Sequence, residues 1–301
     1  MPEDKFSKPS NGLKTTPTIK PVKRYSLSLC GVECAIEEHG NANGEPLVFL
    51  HGWLDNLASF YPLVPHLQQH RLILLDFPGH GLSHHLPAGM AYHFLDLVFV
   101  VQDLVAELKL KDFVLVGHSM GGAAATTYTS SQQGKVRQLI LIEALGPLTL
   151  PASKSLKQMR DSIADRSALL GKQKPVYPSY QLALTHRAKV SQMEPEVIEP
   201  IVKRGLNDVN EGVTWRSDPR LRVSSVSRLT EEQLTPLLEA IECPVLLLEA
   251  EQGMFTENAI IQARKEKVSH LTTSALSGGH HVHMEQPQAV ALAIEQFISQ
   301  K

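Results

Sequence analysis

Five stretches of this 301-residue chain are apolar almost from end to end: PLVFL at 46–50, RLILLDF at 71–77, DFVLVG at 112–117, VRQLILIE at 136–143 and PVLLLEA at 244–250. A strand with one wet face alternates apolar and polar side chains. An unbroken run bounded by turn residues belongs instead to a strand covered on both faces, which means a parallel sheet with helices on either side. Segments of helical period at 95–108, 119–131 and 286–298 separate or follow these runs, and a weaker last strand is expected at 271–276. Two shorter strands, SLSLC and VECAIEE, meet at Gly31 as an opening hairpin. The expected class is therefore α/β, an open and mostly parallel sheet with helices on both faces and right-handed crossovers.

The alternation breaks between 146 and 227. SKSLKQMRDSIADRSALLG, SYQLALTHRAKV and EPEVIEPIVKRG are helical in character, and no comparable strand stands among them, so a helical insertion after the sixth strand is expected. The core is then 25–145 together with 228–301. Residues 1–24 mix Lys, Pro, Ser and Thr with few large apolar side chains and are expected to form a flexible arm.

Twenty-nine basic against 31 acidic residues leave a formal charge of −2, which supplies no footprint for a nucleic acid partner or an anionic membrane surface. No apolar run approaches the ~18 residues that cross a bilayer, and MPEDKFSKPS lacks the apolar stretch of a secretory signal. Cys30, Cys34 and Cys243 are odd in number and lack CxxC spacing, which argues against a disulfide framework and structural zinc. A cytoplasmic address is expected.

The chemistry centres on Gly117-His118-Ser119-Met120-Gly121, a G-x-S-x-G placed directly after a strand and directly before the small-residue helix GGAAATTY. A sharp strand-to-helix turn lifts the serine above the carboxyl ends of the strands, where open α/β sheets hold their ligands, and the flanking glycines permit the close packing. A serine hydroxyl is barely ionised at pH 7 and needs a base. Gly279-His280-His281-Val282-His283 follows the expected last strand, on the same carboxyl edge. His280, beside the glycines of SGGH, is read as the base, with His281 and His283 as surface or packing residues. HHVH lacks the supporting set of carboxylate or cysteine ligands that a metal site needs, so no metal is expected. The oxyanion formed on attack needs two prepared N–H donors. Met120 N–H, directly after the serine, is one; the loop Leu50-His51-Gly52-Trp53 supplies the other, read as Trp53 N–H. The Trp53 indole either walls an acyl pocket or packs under the insertion.

HGWLDN (His51 to Asn56), DFPGHGLS (Asp76 to Ser83), GHSMGG (Gly117 to Gly122) and GGHHVHMEQP (Gly278 to Pro287) resemble the α/β-hydrolase superfamily in order and spacing, over roughly Tyr25 to the C terminus. More narrowly, HGWLDN, WRSDPRLR, LLLEAEQGMF and HHVHMEQP resemble the serine hydrolase-like proteins. The resemblance implies the α/β-hydrolase fold, the insertion acting as a cap, no cofactor, and a triad of Ser119, His280 and an acid. The family usually places that acid in the loop after PVLLLEA, where Gly253 stands here. The other family position is the end of the preceding strand, occupied by Glu143, as in the haloalkane dehalogenases. Glu143 ends an apolar run, where an unpaired carboxylate would be costly, and Glu251 is the alternative acid. The dehalogenase and epoxide-hydrolase reactions need a carboxylate nucleophile; the elbow carries serine, and Met120 stands where dehalogenases place a halide-binding tryptophan.

The activity expected is hydrolysis of a small-molecule carboxylic ester. A thioester, a lactone or a C–C bond would be cleaved by the same residues. A binder that uses the cavity without turnover is the reading from another class.

Overall fold

The computed structural model describes residues 20–132, 134–169, 171–254 and 258–300. Strands β1 (Lys23–Leu29), β2 (Val32–Gly40), β3 (Pro46–Leu50) and β4 (Arg71–Leu75) precede helix α1 (Leu97–Glu107), and β5 (Phe113–His118), α2 (Met120–Ser131) and β6 (Val136–Ile142) follow. Next come α3 (Ser155–Leu169), β7 (Val176–Tyr177), α4 (Tyr180–Ser191), α5 (Pro195–Gly205), β8 (Leu206–Val209) and β9 (Gly212–Trp215). After them stand α6 (Glu231–Glu239), β10 (Val245–Ala250), α7 (Ala259–Lys265), β11 (Leu271–Leu276), α8 (Val282–Glu285) and α9 (Pro287–Ile298). Among the described residues, no helix is long and apolar enough to cross a membrane.

Eight strands form one sheet in the order β1-β2-β4-β3-β5-β6-β10-β11. β1 and β2 form the expected hairpin and β2 meets β4 antiparallel; all the remaining neighbours are parallel. Successive side chains of a strand point to opposite faces. Val48 and Leu50 of β3, Ile73 and Leu75 of β4, and Leu139 and Leu141 of β6 pack with α1, α2 and α6 through Val101, Leu104, Tyr128, Leu234 and Leu238. The residues between them, Leu47, Phe49, Leu72, Leu74, Ile140 and Ile142, pack with the 3-10 turn Leu57–His66 and α9 through Leu57, Phe60, Val290, Ile294 and Phe297. Both faces are therefore dry, which is why the runs do not alternate. All six residues of β5 are buried, and truncating one of them, such as Leu115→Ala, costs about 2–5 kcal/mol.

Two expectations need correction. β1 begins at Lys23, inside the span read as an arm, because Lys23 and Arg24 lie opposite Glu38 and Glu37 and Arg24 Nε donates to Glu37 at 2.8 Å. The rest of that arm, residues 1–19, lies outside the described residues. The 146–227 segment is not purely helical: β7, β9 and β8 form a three-stranded antiparallel sheet. Strands of two and four residues are too short for a period to register in the sequence. This segment has its own apolar cluster of Ala183, Leu184, Ile198, Ile201, Val202 and Val213, with Tyr177, Tyr180 and Trp215 packed against it.

Candidate active site

Ser119 joins β5 to α2 at φ 51° and ψ −116° and is partly exposed at the carboxyl edge of the sheet. Such a backbone is costly for a residue with a side chain and persists only where its surroundings enforce it. Here a Cβ on Gly121 would overlap the Leu50 carbonyl, and one on Gly117 would overlap Gly122, so helix and strand approach as only glycines allow. Glu143, directly after β6, also stands at positive φ, 51°, and its N–H donates to Leu248 O at 2.9 Å. Two adjacent strands thus both end on a strained polar residue.

His280 Nδ1 lies 3.3 Å from Glu143 Oε2. The Glu143 side chain is fully buried, and its two oxygens also accept the Ala250 N–H at 2.7 Å and the Met254 N–H at 2.9 Å. Gly253 explains the family departure: a Cβ at this position would fall inside the Glu143 carboxylate. A side chain at 253 and a carboxylate from 143 compete for one volume. Glu251, the alternative acid, is exposed; of the two, the structure brings Glu143 to His280.

The His280 loop is fastened on both sides. Glu285 Oε2 accepts the Gly279 N–H at 2.7 Å, so this carboxylate braces the loop from the end of α8. His118 Nε2 donates to the His280 carbonyl at 2.8 Å. A carbonyl only accepts, so the His118 proton sits on Nε2. Burial, with the neighbouring histidines, holds the His118 imidazole well below its usual pKa and keeps it neutral.

The oxyanion candidates lie on segments that touch. Met120 opens α2, where helix N–H groups have no intrahelical partner. Trp53 sits in the turn closed by Asp55 N–H to Gly52 O at 3.2 Å, and Leu50 lies against Gly121 at the start of the helix. The Trp53 indole donates to Leu221 O at 2.9 Å and stays half exposed.

The sequence reading missed Asp55. The carboxylate that meets His281 comes from far away in the chain: Asp55 Oδ2 lies 3.1 Å from His281 Nε2, and Arg187 Nη2 donates to Oδ1 at 2.6 Å. These partners are 226 and 132 residues away, so no spacing betrays them. Asp55 is buried, which opposes ionisation, but the charge and hydrogen bond of His281 and the charge of Arg187 outweigh that and hold it well below the carboxylate range. Asp76, by contrast, braces a turn: its carboxylate accepts the Leu57 and Leu82 N–H groups, both at 2.8 Å, and Arg204 Nε at 2.9 Å.

Residues 45–287 match the family model of the alpha/beta hydrolase fold. A probable serine hydrolase of Drosophila melanogaster is 31% identical over 275 residues, covering 87% of this chain and 83% of that protein. Serine hydrolase-like protein 2 of Homo sapiens is 30% identical over 298 residues, covering 92% and 94%. The crystal structure of a hypothetical protein from Pseudomonas aeruginosa PAO1 superposes with a TM-score of 0.87 at 35% identity, covering 93% of this chain and all of that one. With a mostly parallel eight-stranded sheet, a serine elbow on β5 and these relatives, the chain belongs to the α/β-hydrolase fold family and, within it, to the serine hydrolase-like proteins.

Proposed function

We propose that the protein is a serine hydrolase that cleaves a carboxylic ester through an acyl-enzyme on Ser119. The observation that carries this reading is the contact between His280 and the buried Glu143 carboxylate, on the sheet edge that holds a serine at positive φ. In this reading His280 Nε2, the ring nitrogen opposite the acid-bound Nδ1, takes the Ser119 proton as Oγ attacks the carbonyl carbon. The Trp53 and Met120 N–H groups receive the oxyanion, each contributing about 3–4 kcal/mol to the transition state. His280 returns the proton to the alcohol oxygen as the C–O bond breaks, then takes one from the water that splits the acyl-enzyme and frees the acid and Ser119. Glu143, oriented by two backbone N–H groups, stabilises the imidazolium.

The 146–227 segment serves as a cap, joined to the loop after β3 through Trp53, Asp55 and Asn56. Three free cysteines suit a reducing, cytoplasmic setting.

A fluorophosphonate should label Ser119 and no other serine, and Ser119→Ala should lose the acylation burst with p-nitrophenyl acetate. Mapping of the adduct to another serine sinks the reading. Ligand retention with neither label nor turnover points to a binder. A panel of esters and thioesters of rising acyl length then assigns the substrate class.

A further inference from the structure

Asp55 is a buried carboxylate that the proposed chemistry does not use. It lies where four parts of the molecule meet. It belongs to the turn that carries Trp53; its Oδ2 faces His281 of the base loop at 3.1 Å and His118 Nδ1 of the elbow at 3.7 Å; its Oδ1 takes the guanidinium of Arg187 from α4 at 2.6 Å. His118 in turn holds the His280 carbonyl, and its Nδ1 has no hydrogen-bond partner among the described residues. Asp55, His118 and His281 have the donor set of a cation site. The guanidinium already seated on the carboxylate opposes a second positive charge there, so the group is an ion-pair network.

Keeping charges in such a place is expensive: a buried ion pair is commonly no more stabilising than apolar residues of similar volume. Stability alone therefore does not explain why Arg187, Asp55 and His281 stand here. Their geometry does something apolar packing would not. Directional bonds fix the distance between the loop of the oxyanion donor and the loop of the base, and an error of about 1 Å in such a distance costs on the order of 100-fold in rate.

We propose that Asp55 is a positioning residue: clamped by Arg187, it holds the base loop in register with the Trp53 turn, so that a contact made by the 146–227 segment sets the geometry of His280. The inference rests on the serine-hydrolase reading, and the experiment separates the two. The full-length protein is titrated with a fluorophosphonate, and kcat and KM for p-nitrophenyl acetate are measured per titrated Ser119 in wild type, Asp55→Asn, Arg187→Gln and the double variant, with melting temperatures alongside. Asp55→Asn should lower kcat on the order of 10- to 100-fold with KM within about threefold. Arg187→Gln should lose less, and the double variant should be no worse than Asp55→Asn, because Arg187 acts through Asp55. A fall in melting temperature with kcat per serine unchanged makes Asp55 purely structural and overturns the inference; losses that multiply in the double variant also overturn it. If Asp55→Asn does not fold, an unchanged kcat in Arg187→Gln decides against it. A wild type that neither labels nor turns over overturns the hydrolase reading itself, and this inference with it.

Discussion

Gly253 and Glu143 illustrate how one atom's volume decides where a carboxylate can sit. The Glu143 carboxylate fills the space into which a Cβ at 253 would project and spends its oxygens on Ala250 N–H, Met254 N–H and His280. Glu143→Gln keeps the shape but can favour the wrong imidazole tautomer, so kcat should fall by up to about 10⁴-fold, or ~5.5 kcal/mol, with a normal fold. Gly253→Ala should push the carboxylate aside and lose on the order of 100-fold, although it alters no group that reacts. Glu251→Gln, at an exposed position, should stay within about tenfold of wild type. Steady-state kinetics on the three variants checks this; an active Glu143→Gln beside a crippled Glu251→Gln would reverse the assignment.

Among the elements, α5 attaches to the sheet through a buried charge. Arg204 Nη1 donates to Glu37 at 2.7 Å and Nε to Asp76 at 2.9 Å, with all three side chains buried. Burial opposes ionisation of Glu37, but hydrogen bonds from His39 and Tyr61 and the charges of Arg204 and Arg24 bring it down to about 2. Removing one partner of such a group strands the others. Arg204→Met should therefore lower the unfolding free energy by about 3–5 kcal/mol in urea titration, and Arg204→Lys should not restore it, because a point charge cannot bridge two carboxylates as the guanidinium fork does. A loss under about 1 kcal/mol for Arg204→Met would mean that the apolar faces of the segment hold it in place unaided.

Across the whole molecule, buried neutral histidines set the acid limit. His51 donates Nδ1–H to Gly52 O at 2.8 Å and accepts the Phe77 N–H on Nε2 at 3.0 Å, so it has no place for a second proton. Burial depresses it to about 4 and, with the nearby His51, depresses His80 to about 3; burial likewise holds His118 and His283 well down. An unfolded chain binds protons at these sites below pH ~6.5 that the folded chain refuses, so stability falls as pH drops from 6.5 toward the folded-state values. Between pH 7 and 5.5 each of these four histidines withdraws about 1.2 kcal/mol, roughly 5 kcal/mol together, and the melting temperature should fall by about 10 °C. A melting curve unchanged over that interval would show that these rings titrate alike in both states.

How much of this was legible in the chain depends on how local each cause is. The parallel sheet follows from runs such as RLILL and DFVLV, because a strand buried on both faces must be apolar throughout and no distant partner is needed to see it. The elbow is equally local, since Gly117, Ser119 and Gly121 are two residues apart and the strain acts within one turn. Glu143 could be suspected from its place at the end of an apolar run, but its pairing with His280 and the space that Gly253 leaves for it are contacts across more than a hundred residues. The network of Asp55, Arg187 and His281 left no trace at all, because each is an ordinary charged residue in its own neighbourhood. The sequence by itself determined the layers of the fold and the position of the serine elbow, where hydrophobic burial and local backbone strain act on adjacent residues. The tertiary structure alone decided which carboxylate meets which histidine, because electrostatic pairing depends on distances that only the folded chain defines.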